Sequence, residues 1–180
     1  MEFILTYEGP LASNGRPDQK NEIRRALHPQ LKDLWSCSRA LDHLRTTGED
    51  SNLLRTIDGH DFIAIVHSFF DFRAKLDILI LRPEQPGGIV VAGGDIDNRP
   101  KTLFDALACP RGVRDLPKNW IPEPDETPLH CLLEDDGFIS RVNVRTSQLL
   151  NPPDPTHVKL IIEVEVQTQN TFGGLAIIGP

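Results

Sequence analysis

At 180 residues, with 39% hydrophobic and 25% charged side chains, the chain can bury one substantial core, and its composition argues against a disordered chain. A net charge of −7 argues against a surface that grips nucleic acid all over, but it leaves room for a local basic face. Cys37, Cys109 and Cys131 are odd in number and share no close spacing, so neither a disulfide framework nor a zinc site is indicated. A soluble protein in a reducing, cytoplasmic setting is expected, without a leader or a membrane span.

Residues 2–8 read as a short strand, followed by a turn-rich loop through Ser13, Asn14, Gly15 and Pro17. Helical spacing of Ile23, Leu27, Leu31, Leu34, Leu41 and Leu44 predicts helices over about 18–26 and 29–45, with Pro29 kinking or splitting the pair. Between Arg16 and Arg45 the basic residues Lys20, Arg24, Arg25, Lys32 and Arg39 outnumber the acids, a pattern equally consistent with a solvated helix face and a phosphate-binding one. Strands are predicted over 54–57 and 61–70 with a turn at Gly59, and residues 72–81 read as a central strand covered on both faces.

The proline-broken stretch 110–128 predicts a loop or flap. Residues 129–133 and 138–144 flank Glu134-Asp135-Asp136-Gly137 and predict a hairpin with acids at its turn. The stretch 158–166 alternates most cleanly of all and predicts a further strand. The expected fold is a single α+β domain, a mixed β-sheet packed against helices.

The most informative stretch is Gly93-Gly94-Asp95-Ile96-Asp97-Asn98-Arg99-Pro100-Lys101, which leads into a helix with Leu103, Phe104 and Leu107 on its apolar face. In an extended segment residues two apart point to the same side, so Asp95 and Asp97 can aim oxygens at one point, where a hard cation fits. Asn98 suits an N-cap and Pro100 the first turn. Lys101 gains nothing from the dipole at that helix end, which suggests a task other than helix stability.

Plainer readings stand beside this one. Asp95 and Asp97 could be turn and capping residues, Lys101 and Asp105 a surface ion pair, and Asp135 and Asp136 an acidic turn. His28, His43, His60, His67, His130 and His157 show no ligand spacing and read as structural or surface residues. Trp35 reads as core, and Trp120 as a lid residue or a partner contact.

The string Asp95-x-Asp97-Asn98-x-x-Lys101-x-x-x-Asp105-Ala106-Leu107, with Asp135-Asp136 and Ile139 beyond it and Ser13-Asn14 before it, resembles the RusA-type Holliday junction resolvases. The resemblance implies a RusA-like fold, a homodimer and a Mg²⁺-dependent endodeoxyribonuclease that resolves four-way DNA junctions, with Mn²⁺ a possible substitute. It makes Asp95, Asp97 and Asp136 metal-binding carboxylates, with Asp135 the alternative member of its pair, and Lys101 a base or electrostatic stabiliser. It also implies attack by metal-activated water, leaving a 5′-phosphate and a 3′-hydroxyl. The rival reading is a RusA-like module without activity, whose acidic surface serves a protein partner.

Overall fold

The computed structural model describes residues 1–39, 41–42, 53–84 and 98–168. The fold is α+β: two helices and two mixed sheets among the described residues. In chain order these are β1 (Glu2–Pro10), α1 (Pro17–Cys37), β2 (Leu54–Ile57), β3 (His60–Val66), β4 (Phe72–Arg82), α2 (Asn98–Leu107), β5 (Leu129–Leu133), β6 (Ile139–Gln148) and β7 (His157–Thr168). One sheet has the order β1-β7-β4-β6 and the other β2-β3-β5.

Alternation along β4 and β7 builds the core. Leu76 pairs with Val164, Ile78 with Ile162 and Ile80 with Leu160, so both strands turn an apolar row to the same face. Ile23, Leu27, Leu31 and Trp35 of α1 and Leu103 and Leu107 of α2 join them in one cluster. β4 is central, as its pattern predicts, but only one of its faces is fully buried. Arg73, Lys75, Asp77, Leu79 and Leu81 are half-buried on the other, so the expected cover on both faces is not found. A second, smaller cluster gathers Ile57, Phe62, Cys109, Leu116, Leu129 and Cys131, with Trp120 stacked on Phe62. Trp120 therefore packs against β3, and its indole also meets His60 edge-on.

Three further expectations need correction. Pro29 does not split the first helical region: α1 runs unbroken through it. A proline inside a helix costs about 3 kcal/mol, but its ring lies on the exposed side, and the apolar residues before and after it bury in one core. The strand predicted over 61–70 stops at Val66, because the His67 ring accepts the Phe69 N–H and folds Ser68–Phe70 into a 3-10 turn.

The third correction concerns topology. β5 and β6 do not form a hairpin: β5 pairs in parallel with β3, and β6 in parallel with β4. The chain thus passes from the small sheet to the large one twice, side by side, through the turn at Ser68–Phe70 and through 134–138. The Glu134 N–H donates to the Val66 carbonyl at 2.9 Å, and the Ser68 N–H donates to Glu134 Oε2 at 2.7 Å, which ties the two crossings together.

Candidate functional site

Asp95 and Asp97, the first two carboxylates of the expected set, lie outside the described residues. The other members do not. Lys101 is exposed in the first part of α2, and its neighbour Thr102 is buried. Thr102 Oγ1 accepts the Gly15 N–H at 2.8 Å and donates to the Asn98 carbonyl at 3.2 Å, so the Ser13-Asn14-Gly15 loop docks on α2 one residue from Lys101. Asn14 adopts a left-handed backbone there, with φ 57°. α2 also packs against the 3-10 turn Asp136–Phe138, which brings the helix, the loop and the acidic turn into one neighbourhood.

Asp135 and Asp136 are half-buried and share one partner. Arg111 Nε donates to Asp135 Oδ2 at 3.1 Å, and Arg111 Nη2 donates to Asp136 Oδ1. Asp135 Oδ1 accepts the Gly137 N–H at 2.9 Å. That bond first, and the Arg111 charge after it, hold the Asp135 carboxyl below its ordinary range, despite some burial acting the other way. Glu134 serves a separate task. Burial opposes its ionisation, but the Ser68 N–H, His67 and Arg55 outweigh it and lower its pKa, and Arg55 Nη2 stands 3.3 Å from Oε1. These groups line an open groove of about 520 Å³ with Leu54 and Phe69.

The Lys101–Asp105 pair expected as the plain alternative does not form. Asp105 accepts from Lys20 of α1 at 2.7 Å. In the basic stretch Lys20, Arg24, Arg25 and Lys32 find partners inside the molecule, while Arg39 is exposed. Arg24 is 2% exposed and donates to the Asp105 carbonyl at 2.8 Å and the Ala108 carbonyl at 3.0 Å, capping the end of α2. Arg25 pairs with buried Glu126, and Lys32 donates to the Asp125 carbonyl at 2.9 Å. Four cations of α1 thus hold α2 and the 110–128 loop in place.

His28 completes that anchoring. It is buried, its Nδ1 accepts the His130 N–H at 2.9 Å, and its Nε2 lies 3.0 Å from the Asp125 carbonyl, which assigns the Nε2–H tautomer. Burial lowers its pKa. The sequence does carry a signal for these roles. Asn21, Arg24, His28, Leu31 and Trp35 follow one another at 3, 4, 3 and 4 residues, so the polar members share the buried stripe of the apolar ones.

Asp135, Asp136 and the Ser13-Asn14 loop are therefore brought beside α2, whereas Asp105 is drawn to α1. Carboxylate oxygens suit a hard cation such as Mg²⁺, and the acidic turn supplies two of them. Among the described residues no group of three or more His, Cys, Asp or Glu side chains is arranged to hold a metal ion. No described helix is long and apolar enough to cross a membrane. Comparisons with protein-family models, curated proteins and solved structures returned no match.

Proposed function

We propose that the protein is a Mg²⁺-dependent endodeoxyribonuclease acting on four-way DNA junctions, of the RusA resolvase type. The observation that carries this reading is the packing of α2 against the Asp136–Phe138 turn. The helix that carries Lys101 and the turn that carries Asp136 are distant in sequence and meet there.

In this reading Asp95 and Asp97, in the segment preceding α2, and Asp136, on the turn packed against α2, hold the metal, with Asp135 as the alternative donor. Mg²⁺ would supply an acidified water and charge neutralisation at the phosphate. Lys101, exposed on the first part of α2, stabilises charge developing on the phosphoryl oxygens. Arg111 holds the acidic turn in shape and keeps its two carboxylates from repelling each other. A homodimer would present the two active sites that paired incision of a junction requires.

Two observations favour a second reading. Arg111 occupies Asp135 and Asp136 together, as a structural ion pair would, and the chain is acidic overall, so an inactive binding module with a protein partner fits these two facts. Cleavage of a labelled four-way junction, against linear duplex and flap DNA, with Mg²⁺ or EDTA, separates the readings. Metal-dependent paired nicks, abolished by Asp97→Asn in a folded protein, are expected of the nuclease. A folded wild type that cuts no DNA supports the binding module.

A further inference from the structure

β4 ends at Arg82, whose carbonyl accepts the Leu149 N–H at 2.7 Å, and whose side chain turns inward. Arg82 is 7% exposed, yet its Nε and Nη2 have no hydrogen-bond partner. Arg99, in the first turn of α2, is half-buried, with 17% of its side chain exposed, and its Nε also lacks a partner. Glu84 stands between the two. Its Oε2 is 3.9 Å from Arg82 Nε, too far for a hydrogen bond, and its Oε1 is 3.4 Å from Arg99 Nη2. Among the described residues two guanidinium groups thus face one half-exposed carboxylate, and three buried cationic donors have no hydrogen-bond partner.

Buried guanidinium donors without acceptors are costly, and Glu84, whose Oε2 also has no hydrogen-bond partner, does not satisfy them where it stands. Arg99 stands in the first turn of a ten-residue helix, whose dipole favours an anion at that end. Phosphate matches the demand: it offers several oxygens and suits guanidinium forks in pairs. We propose that Arg82 and Arg99 form a phosphate-binding site at the N-terminal end of α2, that the Glu84 carboxylate closes it in the absence of ligand, and that the phosphate it takes belongs to a DNA backbone. The last part rests on the nuclease reading. In sequence, Arg82 and Arg99 flank the segment between β4 and α2 that carries Asp95 and Asp97.

The test uses the full chain in EDTA, so that binding is read without metal or cleavage. Inorganic phosphate is titrated into wild type, Arg99→Gln and Glu84→Gln by calorimetry, and a fluorescent four-way junction by anisotropy. Arg99→Gln should weaken phosphate binding at least about tenfold, since it removes a charged donor, and should weaken junction binding. Glu84→Gln, at a half-exposed position with little risk to the fold, should tighten phosphate binding several-fold by removing the competing charge. Equal phosphate affinity in wild type and Glu84→Gln, or phosphate binding that survives Arg99→Gln, overturns the site. Loss of phosphate binding in Arg99→Gln with unchanged junction affinity overturns the DNA source. Arg99-dependent phosphate and junction binding in a protein that never cuts leaves the site standing and sinks only the nuclease reading.

Discussion

The Gly15 N–H donates to Thr102 Oγ1 at 2.8 Å, across 87 positions of sequence, and a Cβ built on Gly15 would stand 2.4 Å from Thr102 Cγ2. Glycine is needed here for close approach. Thr102 is short, branched and buried on a helix that Arg24 and Lys20 hold, so it cannot swing aside as a long side chain would. Gly15→Ala should destabilise the protein by about 1–3 kcal/mol through overpacking, read as a lower urea midpoint at unchanged slope. Gly15→Ala combined with Thr102→Ala should lose less than the sum of the two single changes, because the clash needs both groups. Strict additivity would remove the contact as the cause.

Arg24 joins the two helices by a different device. Its guanidinium satisfies carbonyls at Asp105 and Ala108, and Arg24 Nη1 lies 3.4 Å from Asn21 Oδ1. Arg24→Met, similar in length but without donors, should cost roughly 2–4 kcal/mol by stranding buried acceptors. Arg24→Lys should recover little of this, because one ammonium cannot reproduce a planar fork that reaches two carbonyls. Thermal unfolding of both variants checks the claim, and a methionine variant as stable as wild type refutes it.

What the sequence discloses and what it hides follow from range. The strands β4 and β7 and the helix α2 are legible because their causes are local: alternation of apolar residues in the first two, and Pro100 with Leu103 and Leu107 in the third. Sheet membership is not local. Five residues separate β5 from β6, a spacing that serves a hairpin as well as a crossing between sheets, and only the parallel partners β3 and β4 decide between them. Likewise, Lys20 and Arg24 look like parts of a basic run until Asp105 and the end of α2 arrive from about eighty residues away. The acidic turn and Lys101 could be chosen as site candidates from residue type and spacing. Arg111 could not, because its role exists only where residues 111, 135 and 136 meet.

His28 should make stability depend on pH near neutrality. Its folded-state pKa lies below the ordinary 6.5, mainly through burial, so on acidification the unfolded chain takes up the proton first. Stability is therefore fully present above pH 6.5 and declines as the pH falls from there towards the folded-state pKa. Protonation puts a hydrogen on Nδ1, which then cannot accept the His130 N–H. His67, also lowered by burial, titrates in the same direction. Asp135 and Glu134 are lowered from 3.8 and 4.5, so their losses come only at more acidic pH. The unfolding midpoint should fall between pH 7.5 and about pH 5, and His28→Gln should start lower but show a shallower fall. A pH profile in that variant parallel to wild type would show that His28 does not titrate on folding.

Arg111 sets the terms on which a cation can use the acidic turn. Its guanidinium is itself largely exposed, so its pairs with Asp135 and Asp136 are screened and its loss should cost no more than about 1 kcal/mol of stability. Its effect on a metal should be larger, because Arg111 and Mg²⁺ compete for the same carboxylate oxygens. If the nuclease reading holds, Arg111→Gln should bind Mg²⁺ several-fold more tightly and reach full cleavage at lower metal concentration, whereas Asp136→Asn should do the reverse. Calorimetric titration with Mg²⁺, alongside the metal dependence of junction cutting, measures both. Unchanged metal affinity in both variants would make the Arg111 bridge purely structural, and would remove the acidic turn from the metal site while leaving the fold as described.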